Sequence, residues 1–191
     1  MDMIVRHAVV RGHQGVVDIV IEKDHIASVQ PKAADKGRRE IDAAGSLVLP
    51  GLFNLHFHAD KCLLGEIMRP NLSGTLPEAI EITNDFKRKY DPAEVAERTL
   101  RVLETGVKNG TTFFRLFADV GTIGGLRASR GLLLAREKFR RYCDIQVVAF
   151  PQEGIVRDPG KVTSALAFET VCAGGWNGQN MDIDPQLIHV L

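Results

Sequence analysis

The feature that most constrains this sequence is a short apolar segment that follows a Pro-Gly pair and ends in two histidines. Residues 48–58 read VLPGLFNLHFH. The Pro-Gly pair breaks whatever structure precedes it, and Leu52, Phe53 and Leu55 give the segment the composition of a buried strand. The sequence therefore predicts a core strand whose carboxyl end carries the two histidines.

The two histidines, His56 and His58, form an H-x-H motif. Side chains on a strand alternate between its two faces, so both imidazoles are expected on the same side, opposite Phe57. Neutral imidazole is a favoured ligand of Zn and Fe, and the pair predicts a site for one divalent metal. So short a motif also recurs by chance, and the alternative is two unrelated surface histidines.

From residue 50 onward the chain alternates between helical and strand patterns. A helix is predicted over 77–90, with a charged and solvated face from 87 to 89. A second helix is predicted after Asp91, which has the features of an N-cap: a proline follows it, and Glu94 stands three residues on, as in a capping box.

Two further strands and a third helix complete this pattern. β-branched and aromatic residues predict strands over 111–117 and 145–150. Strands joined by helical crossovers form parallel sheets, so these two strands and the H-x-H strand are expected to be neighbours. The third helix is predicted over 126–142, with four apolar residues on its buried side: Leu132, Leu133, Leu134 and Phe139.

Parallel sheets of this kind bind ligands at the carboxyl ends of their strands. His56 and His58 lie at such an end, and either Asp119 or Gln152 lies at another. Taken alone, Asp119 reads as a cap or turn residue and Gln152 as a polar residue in a loop. The pattern predicts where a site would lie and leaves open which of these residues belong to it.

The first 49 residues have a different pattern, with short apolar bursts and no helical period. They predict a β-meander followed by two shorter strands. The predicted strands are 3–10, 15–21, 25–29, 40–42 and 46–49.

Several motifs, in their order along the chain, are similar to those of the amidohydrolase superfamily, and in particular of its cytosine deaminase-like branch. The H-x-H strand continues as ADKCLLGE, then come SGTL at 73–76 and PQEG at 151–154. The resemblance covers about residues 1–160 and implies an α/β fold. Residues 50–160 would be the first three βα units of an incomplete (β/α)8 TIM-type barrel, and residues 1–49 the N-terminal part of a small β-sandwich.

The resemblance also implies a chemistry, the hydrolytic deamination of a small nitrogen heterocycle such as a pyrimidine by metal-activated water. His56 and His58 would be ligands of one divalent metal, Zn or Fe. Gln152 would hydrogen-bond the edge of the ring, and Leu76 would line the pocket as an apolar wall. An N-alkylamino-triazine hydrolase of the same branch is the alternative within the family.

The sequence departs from the family pattern in two respects. Relatives show Arg-x-His-x-Asp after the second barrel strand, whereas Phe117 stands in the His position, before Asp119. The later strands, with their metal ligands and proton-shuttling Glu, are not recognisable, and residues 161–191 read as a frame-shifted or degenerate tail. The chain is therefore expected to be truncated and inactive by itself, either as a non-catalytic fragment or as an interaction module that completes a barrel in trans.

The composition limits the classes of partner that we expect this protein to bind. Lys plus Arg and Asp plus Glu number 24 each, so the formal net charge is zero and nothing favours nucleic acid or an acidic membrane surface. The three cysteines form no C-x-x-C pair, and no signal peptide or membrane-spanning run is recognisable. A cytoplasmic protein is expected, with a homo-oligomer left open as the source of further metal ligands.

Overall fold

The computed structural model of the protein describes residues 1–33 and 36–152. The chain forms two compact units, Met1–Pro50 and a second unit that begins at Gly51. The predicted tail, residues 161–191, and the end of the PQEG motif lie outside the described residues. None of the helices in the described ranges has the length and apolar composition needed to span a membrane.

The first unit is a five-stranded sheet whose leading strands form the predicted meander. β3, β2 and β1 are antiparallel neighbours, while β4 and β5 both pair with β1 in parallel. The strands are β1 (Met3–Val10), β2 (Val16–Glu22), β3 (His25–Gln30), β4 (Arg39–Asp42) and β5 (Leu47–Val48).

A buried carboxylate, Asp18, joins distant parts of this first unit. It is 3% exposed and accepts hydrogen bonds from Nη1 of Arg6 at 2.8 Å and from the backbone N–H groups of Ala33 at 2.9 Å and His7 at 3.1 Å. Burial acts to raise the pKa of Asp18, but these donors outweigh it and lower the pKa to about 2. The carboxylate is therefore held ionised in the folded unit.

The second unit is α/β, with a parallel sheet in the order β6-β7-β8, as the alternating pattern predicted. Two helices lie in the chain between the first and second of these strands, and one between the second and third. The elements are β6 (Leu52–Phe57), α1 (Leu76–Lys87), α2 (Pro92–Lys108), β7 (Thr111–Asp119), α3 (Arg127–Phe139) and β8 (Asp144–Phe150).

The start of α2 confirms the predicted N-cap and corrects one detail of it. The Asp91 side chain accepts a hydrogen bond from the N–H of Ala93 at 3.1 Å. Glu94 does not return to the Asp91 backbone as in a full capping box, because its carboxylate pairs with Arg98 one turn further along the helix. At the other end of α2, Gly110 adopts a φ of 87°, a left-handed conformation that glycine tolerates well.

The core of the second unit lies between one face of the sheet and the helices α2 and α3. Even-numbered residues of β7 such as Phe114 and Leu116 are buried there, against Val95 and Leu103 of α2 and Leu132 of α3. Odd-numbered residues of β7 point to the opposite face by the alternation of a strand. That opposite face carries the side chains of the candidate site.

Two predictions about buried residues are wrong. Leu52, Phe53 and Leu55 are 56%, 67% and 54% exposed, because β6 pairs only with β7 among the described residues and is an edge strand there. Leu134 is 46% exposed. It points about 200° around the helix from the buried Leu132, as the 3.6-residue turn of a helix requires.

Candidate functional site

The two histidines of the motif lie side by side at the carboxyl end of β6. Nε2 of His56 and Nε2 of His58 are 3.1 Å apart, so one ring nitrogen donates to the other in the absence of a metal. A tetrahedral Zn with two imidazole ligands holds the two nitrogens about 3.3 Å apart, given the usual Zn–N distance. The spacing of the pair therefore fits a shared divalent metal.

Aromatic side chains from β7 and β8 pack against this pair. The Phe117 ring stacks on His56, with centroids 4.3 Å apart and an interplanar angle of 19°. Phe150, which ends β8, meets His58 edge to face at 5.1 Å and Phe117 at 5.7 Å. All three strand ends thus contribute a ring to one cluster, which restricts the rotation of the imidazoles.

The environment of His58 keeps its imidazole neutral. Burial, followed by the nearby charge of Lys61 and by His56, lowers the pKa of His58 to about 4, so the ring is in its metal-binding form at neutral pH. Its Nδ1 is buried and has no hydrogen-bond partner among the described residues. Metal-bound histidines usually donate from the second ring nitrogen, and the described residues supply no acceptor for this one.

A cluster of buried charges lies beside the histidines. Nζ of Lys61 is 3.4 Å from Oδ2 of Asp119 and 3.8 Å from Oδ2 of Asp60, and it also donates to Oε1 of Gln152. Burial raises the pKa of Asp60 to about 6 against the opposing effect of the Lys61 charge. The cluster brings Gln152 and Asp119 into one network, whereas the sequence had left them as alternatives.

Lys87 overturns a prediction from the sequence. The charged run from 87 to 89 was expected to be solvated, but Lys87 is 4% exposed and forms an ion pair with Oδ2 of Asp119. The last turn of α1 directs this side chain toward the end of β7. A buried ammonium is costly unless a carboxylate neutralises it, and Asp119 does so.

The turn between the histidines and the charge cluster is fixed by hydrogen bonds from α2 and the residues before it. A short 3-10 turn, Ala59–Lys61, carries Asp60 and Lys61. The backbone oxygen of Asp60 accepts from the Tyr90 hydroxyl at 3.1 Å and from Nη1 of Arg98 at 3.0 Å, and the same nitrogen donates to the oxygen of Cys62 at 2.6 Å. Arg98 thereby anchors the segment that follows His58.

No family model matches this sequence. N-isopropylammelide isopropyl amidohydrolase of Pseudomonas sp. (strain ADP) is 32% identical over 161 residues, 82% of this chain and 40% of the relative. N-isopropylammelide isopropylaminohydrolase of Burkholderia multivorans has a TM-score of 0.75 at 29% identity, covering 90% of this chain and 43% of that one. 5-methylcytosine deaminase of Klebsiella pneumoniae has a TM-score of 0.77 at 28% identity, and the match covers 88% of this chain and 41% of that one. These relatives are members of the amidohydrolase superfamily, and the chain is similar to an N-terminal portion of them.

The similarity covers only part of the length of each relative. It spans about two fifths of the length of the three proteins named above. The described residues contain no group of three or more His, Cys, Asp or Glu side chains arranged to hold a metal ion. Within those residues the candidate metal centre therefore consists of the two histidines.

The predicted substrate-binding residues lie in different settings. Gln152 follows β8 and is tied to the charge cluster through Lys61. Leu76 is the first residue of α1 and is 72% exposed, and its role as an apolar wall stays a prediction.

Sequence reasoning missed three members of the charge cluster: Asp60, Lys61 and Lys87. The Asp-Lys pair directly after the H-x-H motif was a usable signal for the first two. Nothing in the run of basic residues around Lys87 distinguishes the buried lysine from its exposed neighbours.

Proposed function

We propose that this chain provides the first part of a metal-dependent hydrolase that cleaves a C–N bond of a small nitrogen heterocycle. The observation that carries the proposal is the pair of Nε2 atoms of His56 and His58, 3.1 Å apart at the carboxyl end of a parallel strand. The proposal includes the architecture: residues 50–160 as the first βα units of a (β/α)8 barrel, and residues 1–49 as part of a small β-sandwich.

His56 and His58 would hold the metal, Zn or Fe, which when bound supplies water activated for attack near neutral pH. A catalytic zinc site takes three protein ligands and a water molecule. Residues 1–33 and 36–152 offer the two imidazoles, so further ligands would come from outside them. We expect no turnover until those ligands are supplied.

The other side chains of the site would bind and orient the substrate. Phe117 and Phe150 would exclude water from the space beside the imidazoles and present flat apolar surfaces to a planar ring. Gln152 would hydrogen-bond the polar edge of that ring, and Leu76 would close the pocket as an apolar wall.

The substrate we favour is a cytosine-like pyrimidine, with release of ammonia. The Gln-Glu-Gly sequence after Pro151, which resembles the cytosine deaminase branch, supports this choice. An N-alkylamino-triazine is the alternative, because two of the relatives act, by their names, on N-isopropylammelide. The released amine distinguishes the two, ammonia from cytosine and isopropylamine from N-isopropylammelide.

The first test is the metal content per chain of the purified protein, measured by elemental analysis after Zn or Fe loading. We expect about one ion per chain, and its loss in His56→Ala and His58→Ala. His13→Ala is the matched control, since His13 is exposed in the other unit. Metal content that is unchanged in both site variants contradicts the proposal. Assays for ammonia and isopropylamine follow on the loaded protein once the further ligands are supplied.

A second candidate function, an interaction module that completes a barrel in trans, is supported by the apolar edge strand β6. Leu52, Phe53 and Leu55 are more than half exposed there. A second copy of the chain that covers this strand would make a homo-oligomer, which sedimentation can detect. Phe53→Asp should then favour the monomer, while Leu134→Asp, at an exposed apolar position of α3, should not. A monomeric wild-type protein contradicts this candidate.

A further inference from the structure

Lys61 lies where the carboxyl ends of the three parallel strands meet. It belongs to the turn after β6, it pairs with Asp119 at the end of β7, and it donates to Gln152, two residues beyond the end of β8. Its side chain is 19% exposed. Protein oxygens rather than water therefore surround most of its charge.

The ammonium group of Lys61 lies among oxygens of three side chains. An ammonium group has three N–H donors and no acceptor. Oδ2 of Asp119, at 3.4 Å, Oε1 of Gln152 and, more distantly, Oδ2 of Asp60, at 3.8 Å, lie around Nζ. With a hydrogen bond to Gln152 and ion pairs with the two carboxylates, Lys61 is placed to hold its neighbours rather than to bind a ligand itself.

The contact with Lys61 determines which end of the Gln152 amide is free. Because Lys61 can only donate, the carbonyl oxygen Oε1 turns toward it and the NH2 group of Nε2 turns away. Gln152 is exposed, and within residues 1–33 and 36–152 no acceptor contacts Nε2. The side chain thus presents two N–H donors to whatever lies beyond it.

We propose that Lys61 is a positioning residue that fixes the Gln152 amide with its N–H donors toward the substrate. The site would then select heterocycles that present an acceptor at that edge, either a ring carbonyl oxygen or an unprotonated ring nitrogen. A free glutamine amide can rotate by half a turn and present its oxygen instead. The contact with Lys61 prevents this rotation. The inference rests on the proposed function, in which Gln152 contacts the ring.

The test follows the Gln152 side-chain amide by 1H–15N NMR, with its signals assigned by their absence in Gln152→Leu. In Lys61→Met, which removes the ammonium group and keeps a long apolar side chain, we expect these signals to shift and the amide to become more mobile. Lys89→Met is the matched control, because Lys89 is an exposed lysine after α1. Gln152 signals that move no more in Lys61→Met than in this control overturn the inference.

Adding cytosine to the wild-type protein tests whether the oriented Gln152 amide contacts the substrate ring. One Nε2 proton should shift downfield as it donates to the ring, and cytosine should bind about tenfold more weakly to Lys61→Met. A protein that binds no cytosine contradicts only the choice of cytosine in the proposed function, since the amide signals of the free protein still decide the role of Lys61. Cytosine that binds both forms equally well overturns the inference and leaves the proposed function intact.

A second variant covers the case in which Lys61→Met does not fold. Gln152→Glu puts a carboxylate next to the ammonium of Lys61, which favours the ionised form. Its titration, followed by 13C NMR, should then occur below the ordinary glutamate value of about 4.3. A pKa at or above that value shows that Lys61 does not contact this position, and overturns the inference.

Discussion

The ring of Phe117 lies nearly parallel to the imidazole of His56, with centroids 4.3 Å apart and planes inclined by 19°. Phe117 stands where the family pattern given above has a histidine. The Phe117 ring cannot bind a metal, but it supports one face of the His56 imidazole, a candidate metal ligand. Because Phe117 also contacts His58 and Phe150, it orders the pair as a unit.

Replacing this ring should weaken metal binding. Phe117→Ala removes the surface on which His56 rests, so we expect the Zn affinity to fall about tenfold, the low end of what partners that orient a metal ligand contribute. Unfolding should become easier by about 2 kcal/mol, less than for a fully buried ring. Zn titration and urea unfolding measure the two effects.

The control for this substitution is Phe139→Ala, a half-buried ring on α3 that contacts Tyr142 and neither histidine. It should lower the free energy of unfolding by a similar amount and leave the Zn affinity unchanged. Equal losses of Zn affinity in the two variants would mean that Phe117 acts through general stability alone.

Local patterns predicted most of the elements but not the partners of individual charges. The positions of β7 and β8, to within two residues at their ends, and the cap at Asp91 follow from residue type and spacing, which act over a few residues. Lys87 was misplaced because its burial depends on Asp119, an ion-pair partner that only the folded chain brings near. Glu94 was misplaced for a similar reason, since Arg98 competes for the carboxylate that a capping box would use.

Some residues of the candidate site could likewise be predicted from local patterns, whereas others depend on contacts that form only in the folded chain. His56 and His58 could be found because a period-two strand motif places both side chains on one face. The network that joins Gln152 to Asp119 through Lys61 could not, because it connects the ends of three strands that are far apart in the sequence. Side-chain contacts across strands depend on register, which single-sequence patterns do not determine.

Loss of Arg98 should loosen the turn that follows His58. Arg98 is 4% exposed and donates to the backbone oxygens of Asp60 and Cys62. Arg98→Met leaves those buried oxygens without this donor, so we expect a loss of about 3 kcal/mol of stability together with weaker Zn binding. Hydrogen exchange at residues 59–62 should become faster.

Arg101→Met is the comparison for that variant, since Arg101 is exposed and pairs with Glu66 on the surface. We expect a change in stability within about 0.5 kcal/mol, as for most surface ion pairs, and unchanged exchange at 59–62. Slow exchange at those residues in Arg98→Met would show that the turn is held by other contacts.

Close packing of α2 against α3 depends on a glycine. A Cβ at Gly131 would lie 2.6 Å from the Cβ of Val95 and 2.8 Å from the carbonyl oxygen of Pro92. Gly131→Ala should therefore push the helices apart and cost about 2 kcal/mol, measured by thermal or urea unfolding. Gly65→Ala, where nothing lies within 4 Å of the added carbon, should be close to neutral, and equal effects in both would contradict the packing argument.

The last prediction concerns acid stability of the first unit. The pKa of Asp18 is lowered in the folded protein to about 2, from an ordinary value of 3.8. The stabilisation is therefore complete above the ordinary value and is lost as the pH falls from about 4 toward about 2, because the unfolded chain then binds a proton that the folded chain resists. Urea unfolding followed by circular dichroism between pH 2 and pH 5 measures this slope.

Asp18→Asn removes the titrating group and should flatten that part of the profile. The asparagine NH2 group would also face the donors of Arg6 and Ala33, so we expect this variant to be about 2 kcal/mol less stable than wild type at pH 7. Asp24→Asn, at an exposed carboxylate in the same unit, should keep the wild-type slope. If wild type and Asp18→Asn lose stability in parallel between pH 4 and pH 2, other carboxylates cause the acid sensitivity, and the bonds from Arg6, His7 and Ala33 do not hold Asp18 ionised.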